Sequence, residues 1–487
     1  MPGTRPGEEV RPEPENEHTH HDHRIPRRSN PTEVPRPMAT KLHRVLPILL
    51  IGLFVLAACG GSTESAGAGE SEGEESAPAG ESTGAAPSAD ATAACEGVES
   101  LTFTHTMNDQ ESPVIAEIAE AFEGTTVEVT QIPFDGAQAA YDQQAAGGEA
   151  PDVFRAEIAW IADYADKGYL LPLSGLYDDW DDFLAGPLAY GQWQGETYAV
   201  PQVTDALALL YNVSMLEEAG VEPPTTMDEF VAAGETLQTE LGLENAFYMR
   251  GDAYWLQPFL WAFGGGLLEV NDEGLVTEIL VNNEGSVAGL EFLLNDVLGT
   301  IAPQDVDFPN DYGNAMTAFK EGEVAMIFNG PWSTADVLSG SQFTDPENLG
   351  ISVIPAGPDG DKGSPIGGHS YVLYAGMDEA KQACAAAFTA YLSNTENQAR
   401  LATELNLLPT RTSAYEDPSV QESRLIADFQ TVIENATARP VIPEGGQIYT
   451  DFGPNFQAAW TGDKTAQQAL DDTAAAWETL VADRLAE

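Results

Sequence analysis

The alternation of strand and helix patterns predicts an α/β fold for this chain. Residues 101–104 alternate between apolar and polar side chains like a strand, and residues 127–129 repeat that alternation. Between them, apolar side chains recur every three to four residues over 114–122, which predicts one buried helix face. A strand, a helix and a second strand with short connections begin an α/β unit with a parallel sheet.

The same rhythm continues along the chain. Residues 150–154 predict a strand entry, and residues 160–167 predict a helix that ends at Gly168. Residues 193–201 are typical of a hairpin, with a proline suited to its end. Four further stretches have helical periodicity: 226–241, 286–298, 379–393 and 465–485. No short repeat occurs, which argues against a solenoid.

The size and charge of the chain restrict its partners. The 487 residues are 43% hydrophobic, enough for two or three globular domains. Only 20 Lys and Arg oppose 78 Asp and Glu, so the formal net charge is −58. Such a surface repels phosphate backbones and anionic lipid headgroups alike, so we expect no nucleic-acid partner.

An export signal occupies residues 38–59. It begins with a basic patch, continues with 14 uncharged residues over 45–58, and ends in Leu56-Ala57-Ala58-Cys59. The uncharged run is shorter than the roughly 20 residues that a membrane-spanning helix needs. The ending resembles a bacterial lipobox, which implies lipidation of Cys59 and a lipid-anchored position on the extracytoplasmic face of the membrane, in a periplasm or on the cell surface. An ordinary signal peptide with an accidental cysteine remains the alternative.

The segments on either side of this signal are expected to have no fold of their own. Residues 1–37 are rich in Pro, Arg, Glu and His, and their position before the signal suggests that translation begins at Met38. A histidine cluster within 18–23 would not remain in the exported protein, so we predict no metal site and no cofactor. Residues 60–95 are predicted to be a flexible tether, because up to Ala94 they lack aromatic and branched aliphatic side chains.

The three cysteines have two different expected roles, lipidation of one and pairing of the other two. Lipidation would use Cys59, which leaves Cys95 and Cys384. A disulfide between them would persist in an oxidising extracytoplasmic compartment. Two unrelated buried thiols are the other interpretation.

Four strings of residues carry a family resemblance: Gly148–Val153 (GEAPDV), Tyr198–Asn212 (YAVPQVTDALALLYN), Gly322–Trp332 (GEVAMIFNGPW) and Gly367–His369 (GGH). In order and spacing they resemble the extracellular solute-binding proteins of carbohydrate ABC importers, of the maltose/maltodextrin-binding type. The resemblance covers residues 97–487. It implies a type II periplasmic-binding-protein fold, with two α/β lobes, a ligand cleft between them and three hinge crossings.

The resemblance also implies lobe boundaries. The N-terminal lobe would comprise 96–203 and 356–407, and the C-terminal lobe 208–352 and 413–487. The hinge crossings would fall at 204–207, 353–355 and 408–412. Cys95 and Cys384 would then share one lobe, so a bridge between them would not hinder hinge motion.

A sugar site needs carboxylates or amides for the hydroxyl groups and flat aromatic rings for the C–H faces. By position, the resemblance implies an acidic ligand at the first crossing, further acids and amides in loops, and three stacking aromatics. Asp252 has the alternative role of capping the following helix, whereas Trp255, Phe259 and Trp261 are expected in the core. The ligand-binding candidates are Asp205, Trp332, Tyr254, Asp252, Tyr449, Asp109, Asn108, Arg155 and His369.

The resemblance implies a receptor without catalytic residues. It would be a monomer that closes on an oligosaccharide, a short α-glucoside or maltodextrin-like sugar, and delivers it to an ABC permease. The ATPase would be a separate protein, because no Gly-x4-Gly-Lys-Ser/Thr motif occurs. Arg155 stands where maltodextrin binders have a tryptophan, so the identity of the bound sugar is not determined. A binder of a non-sugar solute, a secreted glycosidase with paired carboxylates and a surface adhesin are the alternatives.

Overall fold

A computed structural model describes residues 89–486 of the protein, except Asp272. The segment 1–37, the export signal with Cys59 and the tether up to residue 88 lie outside the described residues. Within the described range, no helix is both long and apolar enough to cross a membrane.

A six-stranded sheet forms the centre of the N-terminal lobe. Its strands, in spatial order, are β14 (Leu408–Pro409), β6 (Ala199–Ala206), β13 (Ile366–Leu373), β3 (Val153–Glu157), β1 (Ser100–His105) and β2 (Thr126–Gln131). Strand β1 is parallel to both β2 and β3, as the strand-helix-strand pattern predicts. Strand β13 runs antiparallel to β3 and β6, and β14 runs antiparallel to β6.

A four-stranded sheet forms the centre of the C-terminal lobe. In spatial order it contains β12 (Leu349–Ser352), β7 (Ala208–Asn212), β11 (Met326–Asn329) and β8 (Phe247–Tyr248). Strand β7 is antiparallel to both of its neighbours. Two small hairpins complete the strands: β4 (Gln192–Trp193) with β5 (Glu196–Thr197), and β9 (Leu268–Val270) with β10 (Val276–Ile279).

Helices surround both sheets. The first part of the chain forms α1 (Ala89–Ala94), α2 (Ser112–Glu120), α3 (Ala137–Gly147), α4 (Ile161–Asp166) and α5 (Ala185–Tyr190). The middle forms α6 (Val213–Ala219), α7 (Met227–Leu241), α8 (Ala253–Ala262), α9 (Glu284–Phe292), α10 (Asp311–Glu321) and α11 (Thr334–Val337). The last part forms α12 (Glu379–Leu392), α13 (Thr395–Leu405), α14 (Pro418–Gln421), α15 (Arg424–Ile433), α16 (Tyr449–Trp460) and α17 (Ala466–Leu480).

Each lobe has its own apolar core. In the N-terminal lobe, Phe103 of β1 packs edge-on against Tyr371 of β13 and Phe388 of α12. In the C-terminal lobe, helices α8, α16 and α17 bury their apolar faces together, with Trp477 completely enclosed. All eight residues of β6 are buried, because this strand has a neighbour on each edge and cover on each face.

The disulfide joins Cys95 to Cys384 of α12, with a Cα–Cα distance of 4.5 Å. Both cysteines lie in the N-terminal lobe. The tether prediction for 60–95 was too long at its end, since residues 89–94 form α1, which packs against α12. The alanine-rich sequence favours a helix there, and the bridge at Cys95 holds it against the lobe.

The connections between the sheets also differ from the expected hinge segments. Strands β6 and β7 belong to different sheets and are separated by Leu207 alone. The second connection extends well beyond 355, because Ala356 still pairs with Thr226 of the C-terminal lobe and the N-terminal sheet is joined only at Ile366. The third begins after 412, because residues 408–412 are hydrogen-bonded within the N-terminal lobe.

Candidate functional site

Asp205 lies one residue before the end of β6, where the chain leaves the N-terminal sheet. It is only 8% exposed, and no donor in the described part of the chain is hydrogen-bonded to its carboxylate. Burial raises the pKa of Asp205 to about 7, although the nearby Arg439 guanidinium opposes the shift. A buried carboxyl group without a hydrogen-bond donor is costly, so Asp205 is available to the hydroxyl groups of a ligand.

Gly367 of β13 makes room for this carboxylate. The two residues are paired across the sheet. A Cβ atom at Gly367 would lie 2.1 Å from Asp205 Oδ1 and 2.8 Å from the Tyr254 hydroxyl. Any larger residue would therefore displace the acid or the tyrosine.

The first turn of α8 places Tyr254 beside Asp205. The Tyr254 hydroxyl donates to the Pro365 carbonyl oxygen at 3.1 Å. Asp252 is the N-cap of the same helix, because its Oδ1 accepts from the Tyr254 backbone N–H at 2.8 Å. The capping role that the sequence left open is thus present, and it orients the tyrosine.

Two more aromatic side chains of the C-terminal lobe lie near Tyr254. The Tyr449 ring at the start of α16 is 6.5 Å from the Tyr254 ring, and its hydroxyl accepts from Gln257 Nε2 at 2.9 Å. Trp332, in the short turn after β11, packs edge-on against Trp255 at 6.4 Å. Trp255 is buried, as expected of a core residue, and fixes the Trp332 ring from behind.

Asn108 connects this aromatic group to the N-terminal lobe. Its Nδ2 donates to the Trp332 carbonyl oxygen at 2.9 Å, and its Oδ1 accepts from the backbone at the start of α2. The neighbouring Asp109 is exposed and accepts from Gln131 Nε2 at 3.2 Å. Of this pair, Asn108 is the one that contacts the opposite lobe.

Arg155 and His369 lie on the N-terminal side of the cleft. Arg155 is 4% exposed; its Nε donates to Gln202 Oε1 at 2.6 Å and its Nη1 to Thr106 at 3.1 Å. Both ring nitrogens of His369 are shielded from solvent, and no described residue is hydrogen-bonded to either of them. Burial, together with the two nearby guanidinium groups, lowers the pKa of His369 well below its ordinary value, so the ring is neutral and can donate or accept.

Two parts of the site were not among the residues predicted from the sequence. Arg439 places its buried guanidinium among Glu157, Tyr254 and Asp205. The sequence does contain one signal for Arg439, because it is the only Lys or Arg between Arg424 and Lys464. The second part is Phe134, which is 44% exposed and stacked on Trp160 at 5.3 Å, with its edge toward His369 at 6.0 Å. No spacing in the sequence marks that pair.

The sequence profile of the bacterial extracellular solute-binding proteins matches residues 114–428, more than half of the chain. The chain belongs to this family. It is a solute-binding protein of the ABC-transporter type, located outside the cytoplasm, and not an enzyme. This confirms the family assignment made from the four strings of residues.

Curated relatives include two sugar binders. The maltotriose-binding protein of Pyrococcus abyssi is 24% identical over 72% of this chain and 76% of its own length. The maltodextrin-binding protein MdxE of Bacillus subtilis is 26% identical over 77% of this chain and 85% of its own length.

Solved structures of similar proteins share the two-lobed fold. The GacH receptor of Streptomyces glaucescens, determined unliganded and with acarbose, has a TM-score of 0.74 and 36% identity, covering 79% of this chain and 99% of its own. Maltose-bound T. maritima MalE3 has a TM-score of 0.72 and 23% identity, covering 78% of this chain and 99% of its own. The predicted two-lobed α/β fold is therefore confirmed.

Proposed function

We propose that this protein is a lipid-anchored extracytoplasmic receptor that captures an oligosaccharide, a short α-glucoside or maltodextrin-like sugar, and delivers it to an ABC permease. The observation that carries this proposal is the unpartnered, buried carboxylate of Asp205 beside the Tyr254 ring. Sugar hydroxyls donate to such a carboxylate, and sugar C–H faces cover such a ring.

The remaining candidates extend the same chemistry. Trp332 and Tyr449 add aromatic surface, while His369 and Arg155 add polar groups on the opposite side. Relatives are named for maltotriose and maltodextrin, and GacH was determined with acarbose. All three names describe short chains of sugar-like rings, which suits a cleft with several aromatic side chains.

Closure of the lobes would complete the site. Two contacts between the lobes support this motion: Asn108 with the Trp332 carbonyl, and Arg250 Nη2 with Asp135 Oδ1 at 3.5 Å. Both lie at the cleft and would separate if the lobes opened about Leu207. Hinge closure around a ligand is characteristic of periplasmic binding proteins.

Anchoring and delivery rest on the N-terminal sequence. A diacyl or triacyl anchor at Cys59 would hold the receptor stably at the membrane, and the tether after it would let the lobes reach both solute and permease. The proposed partners are the permease subunits and a separate ATPase, with the receptor acting as a monomer.

A melting-temperature screen of the purified protein tests the ligand class. The panel contains maltose, maltotriose, acarbose, cellobiose, a polyamine and a tripeptide. A ligand at 100 times its Kd stabilises the folded state by about 2.7 kcal/mol, so α-glucosides should raise the Tm clearly. A shift with the polyamine or the tripeptide alone would establish a non-sugar solute, and release of free glucose from a bound sugar would establish a glycosidase.

A further inference from the structure

The guanidinium of Arg439 connects groups from both lobes at the cleft. Arg439 lies in the segment between α15 and α16 and is 6% exposed. Its Nη2 donates to Glu157 Oε1 at the end of β3, and its Nε donates to the Ile366 carbonyl oxygen at 2.7 Å. Both acceptors belong to the N-terminal sheet.

The same guanidinium reaches two aromatic residues of the C-terminal lobe. Its Cζ lies 5.4 Å from the centroid of the Tyr254 ring, a cation–π distance. Burial raises the pKa of the nearby Tyr449 hydroxyl, and the positive charge of Arg439 opposes that rise. The backbone of Arg439 is itself held by Tyr190 of α5, whose hydroxyl accepts from the Arg439 N–H at 2.9 Å.

We propose that Arg439 is the positioning residue of the sugar site: its guanidinium holds Glu157 and Tyr254 in place and supplies a positive charge near the Asp205 carboxylate. This inference rests on the proposed sugar-binding function. Nothing in the proposed function itself requires an arginine at this position, because a sugar could be bound by the acids and aromatics alone.

The geometry requires an arginine rather than any cation. A planar guanidinium presents five N–H donors in a rigid fork, so it can serve several acceptors in one plane while its face covers an aromatic ring. The acceptors here are the Glu157 carboxylate and the Ile366 carbonyl oxygen, and the covered ring is that of Tyr254. A lysine ammonium has three donors on one atom and no planar face, so it cannot serve both acceptors and cover the ring in the same way.

The charge on Arg439 acts on Asp205 through space. The groups that face Asp205 are Arg439, Glu157, Arg155, Glu111 and the Tyr254 hydroxyl, with a neutral His369 on the adjacent strand. Among them, Arg439 is the largest influence that lowers the pKa of Asp205 against the effect of burial. Without it, Asp205 would be protonated at a higher pH and would accept fewer hydrogen bonds from a sugar.

Two substitutions distinguish the effect of the positive charge from the effect of the planar guanidinium. Arg439→Gln removes both, and Arg439→Lys removes only the planar guanidinium. The Kd for maltotriose would be measured by calorimetry between about pH 6 and pH 8.5. We expect the glutamine variant to bind at least about tenfold more weakly at neutral pH, a loss of about 1.4 kcal/mol, and the midpoint of its pH profile to move to higher pH. The lysine variant should keep the wild-type midpoint but bind about fivefold more weakly, because its charge remains while the fork is lost.

Arg484→Gln provides a matched control. Arg484 also pairs with a carboxylate, Glu444, and also lies over an aromatic ring, that of Trp193 at 5.3 Å, but within the described residues no hydrogen bond, ion pair or ring contact joins it to Asp205, Tyr254 or Trp332. We expect its Kd and pH midpoint to equal those of the wild type.

The possible outcomes are distinct. A wild-type protein that binds no saccharide of the panel ends the proposed function itself. A wild-type protein that binds, with both Arg439 variants equal to it in Kd and in pH midpoint, overturns the positioning role alone. If the Arg439→Gln protein does not fold, the Arg439→Lys protein is the test. A wild-type affinity of the Arg439→Lys protein would overturn the positioning role of the guanidinium.

Discussion

The two faces of the cleft are built from different chemistry. The N-terminal face carries ionisable groups, namely Asp205, Arg155 and His369, all buried or shielded from solvent. The C-terminal face carries aromatic rings, namely Tyr254, Trp332 and Tyr449, fixed by packing against α8 and α16. One face suits sugar hydroxyls and the other suits sugar C–H surfaces, so neither lobe alone would bind a sugar well.

The two kinds of group are held in place by different means. Buried charges need a network of opposite charges and hydrogen bonds, because an isolated charge in an apolar site costs several kcal/mol. The Trp332 ring, in contrast, is held by close packing against Trp255. Mutations should therefore affect the charged face more severely than the aromatic one.

Asp205→Asn should have the largest effect. It removes a charged acceptor, and hydrogen bonds to charged groups are worth about 1.5–3 kcal/mol each, so sugar affinity should fall about 100-fold. Calorimetric titration with maltotriose measures the loss. Asp142→Asn is the control, because Asp142 pairs with Lys167 at the surface. An affinity within about twofold of the wild type would remove Asp205 from the site.

The same substitution should raise the Tm at alkaline pH. The folded-state pKa of Asp205 is raised above its unfolded value, so the wild type loses stability as pH rises from the ordinary aspartate range through about 7. The Asp205→Asn protein has no ionisable group at this position, so it does not lose stability in this pH range. Melting curves at acidic and alkaline pH test this, and equal Tm values for both proteins at alkaline pH would contradict it.

Trp332→Ala should weaken sugar binding at least about tenfold while the fold survives, because a half-buried ring contributes stacking area and little core packing. Trp193→Ala is the matched control, since Trp193 is a half-buried tryptophan of the β4–β5 hairpin whose ring lies under Arg484 and not against Tyr254, Trp255 or Tyr449. Calorimetry and circular dichroism together separate binding from folding. Equal losses in both variants would show that the aromatic face is not specific to the site.

The wild-type Kd should depend on pH through Asp205. If only the carboxylate binds sugar hydroxyls well and its pKa is about 7, the Kd at pH 6 should be about tenfold weaker than at pH 8. Affinity is therefore present above the pKa and lost as pH falls through it. The Asp205→Asn protein should show a flat profile, and a sloping one would assign the titration to another group.

Phe134→Ala should have the smallest effect, about threefold in Kd. Phe134 is the exposed ring of the N-terminal face, and Trp160 beneath it would still offer an aromatic surface. A loss of affinity as large as that of Trp332→Ala would show that the N-terminal face also binds the sugar through an aromatic ring, so the two faces would not differ in this way. Titration of both variants with the same sugar makes the comparison.

Much of the fold could be predicted because the local patterns are strong. Helix α7 begins with a capping box between Thr226 and Glu229, within the predicted 226–241 stretch. The hairpin at 192–197 and the strand β3 also fall where the alternation indicates. Helix α9 is less regular, because residues 293–297 wind into a π-helix that the apolar period does not reveal.

Hinge positions and the cleft network could not be read in this way. From the sequence, residue 356 is predicted in the N-terminal lobe and residues 408–412 in a connection. A hydrogen bond to Thr225 attaches Ala356 to the C-terminal lobe, and hydrogen bonds to Gln398 attach Thr410 and Arg411 to the N-terminal lobe. Arg439 has no local pattern beyond its isolation as a cation, and its partners Glu157 and Ile366 lie far away in the chain. Such contacts depend on the paths of distant segments, which periodicity does not contain.

The sequence by itself determined the α/β class, the family and most of the acids and aromatics of the candidate site, because apolar period and ordered motifs are local properties. Only the tertiary structure decided which of those side chains meet. It left Asp205 buried without a donor, used Asp252 as a helix cap and brought Arg439 between the lobes. The physical reason is that burial and charge pairing depend on neighbours in space, and these neighbours come from segments hundreds of residues apart.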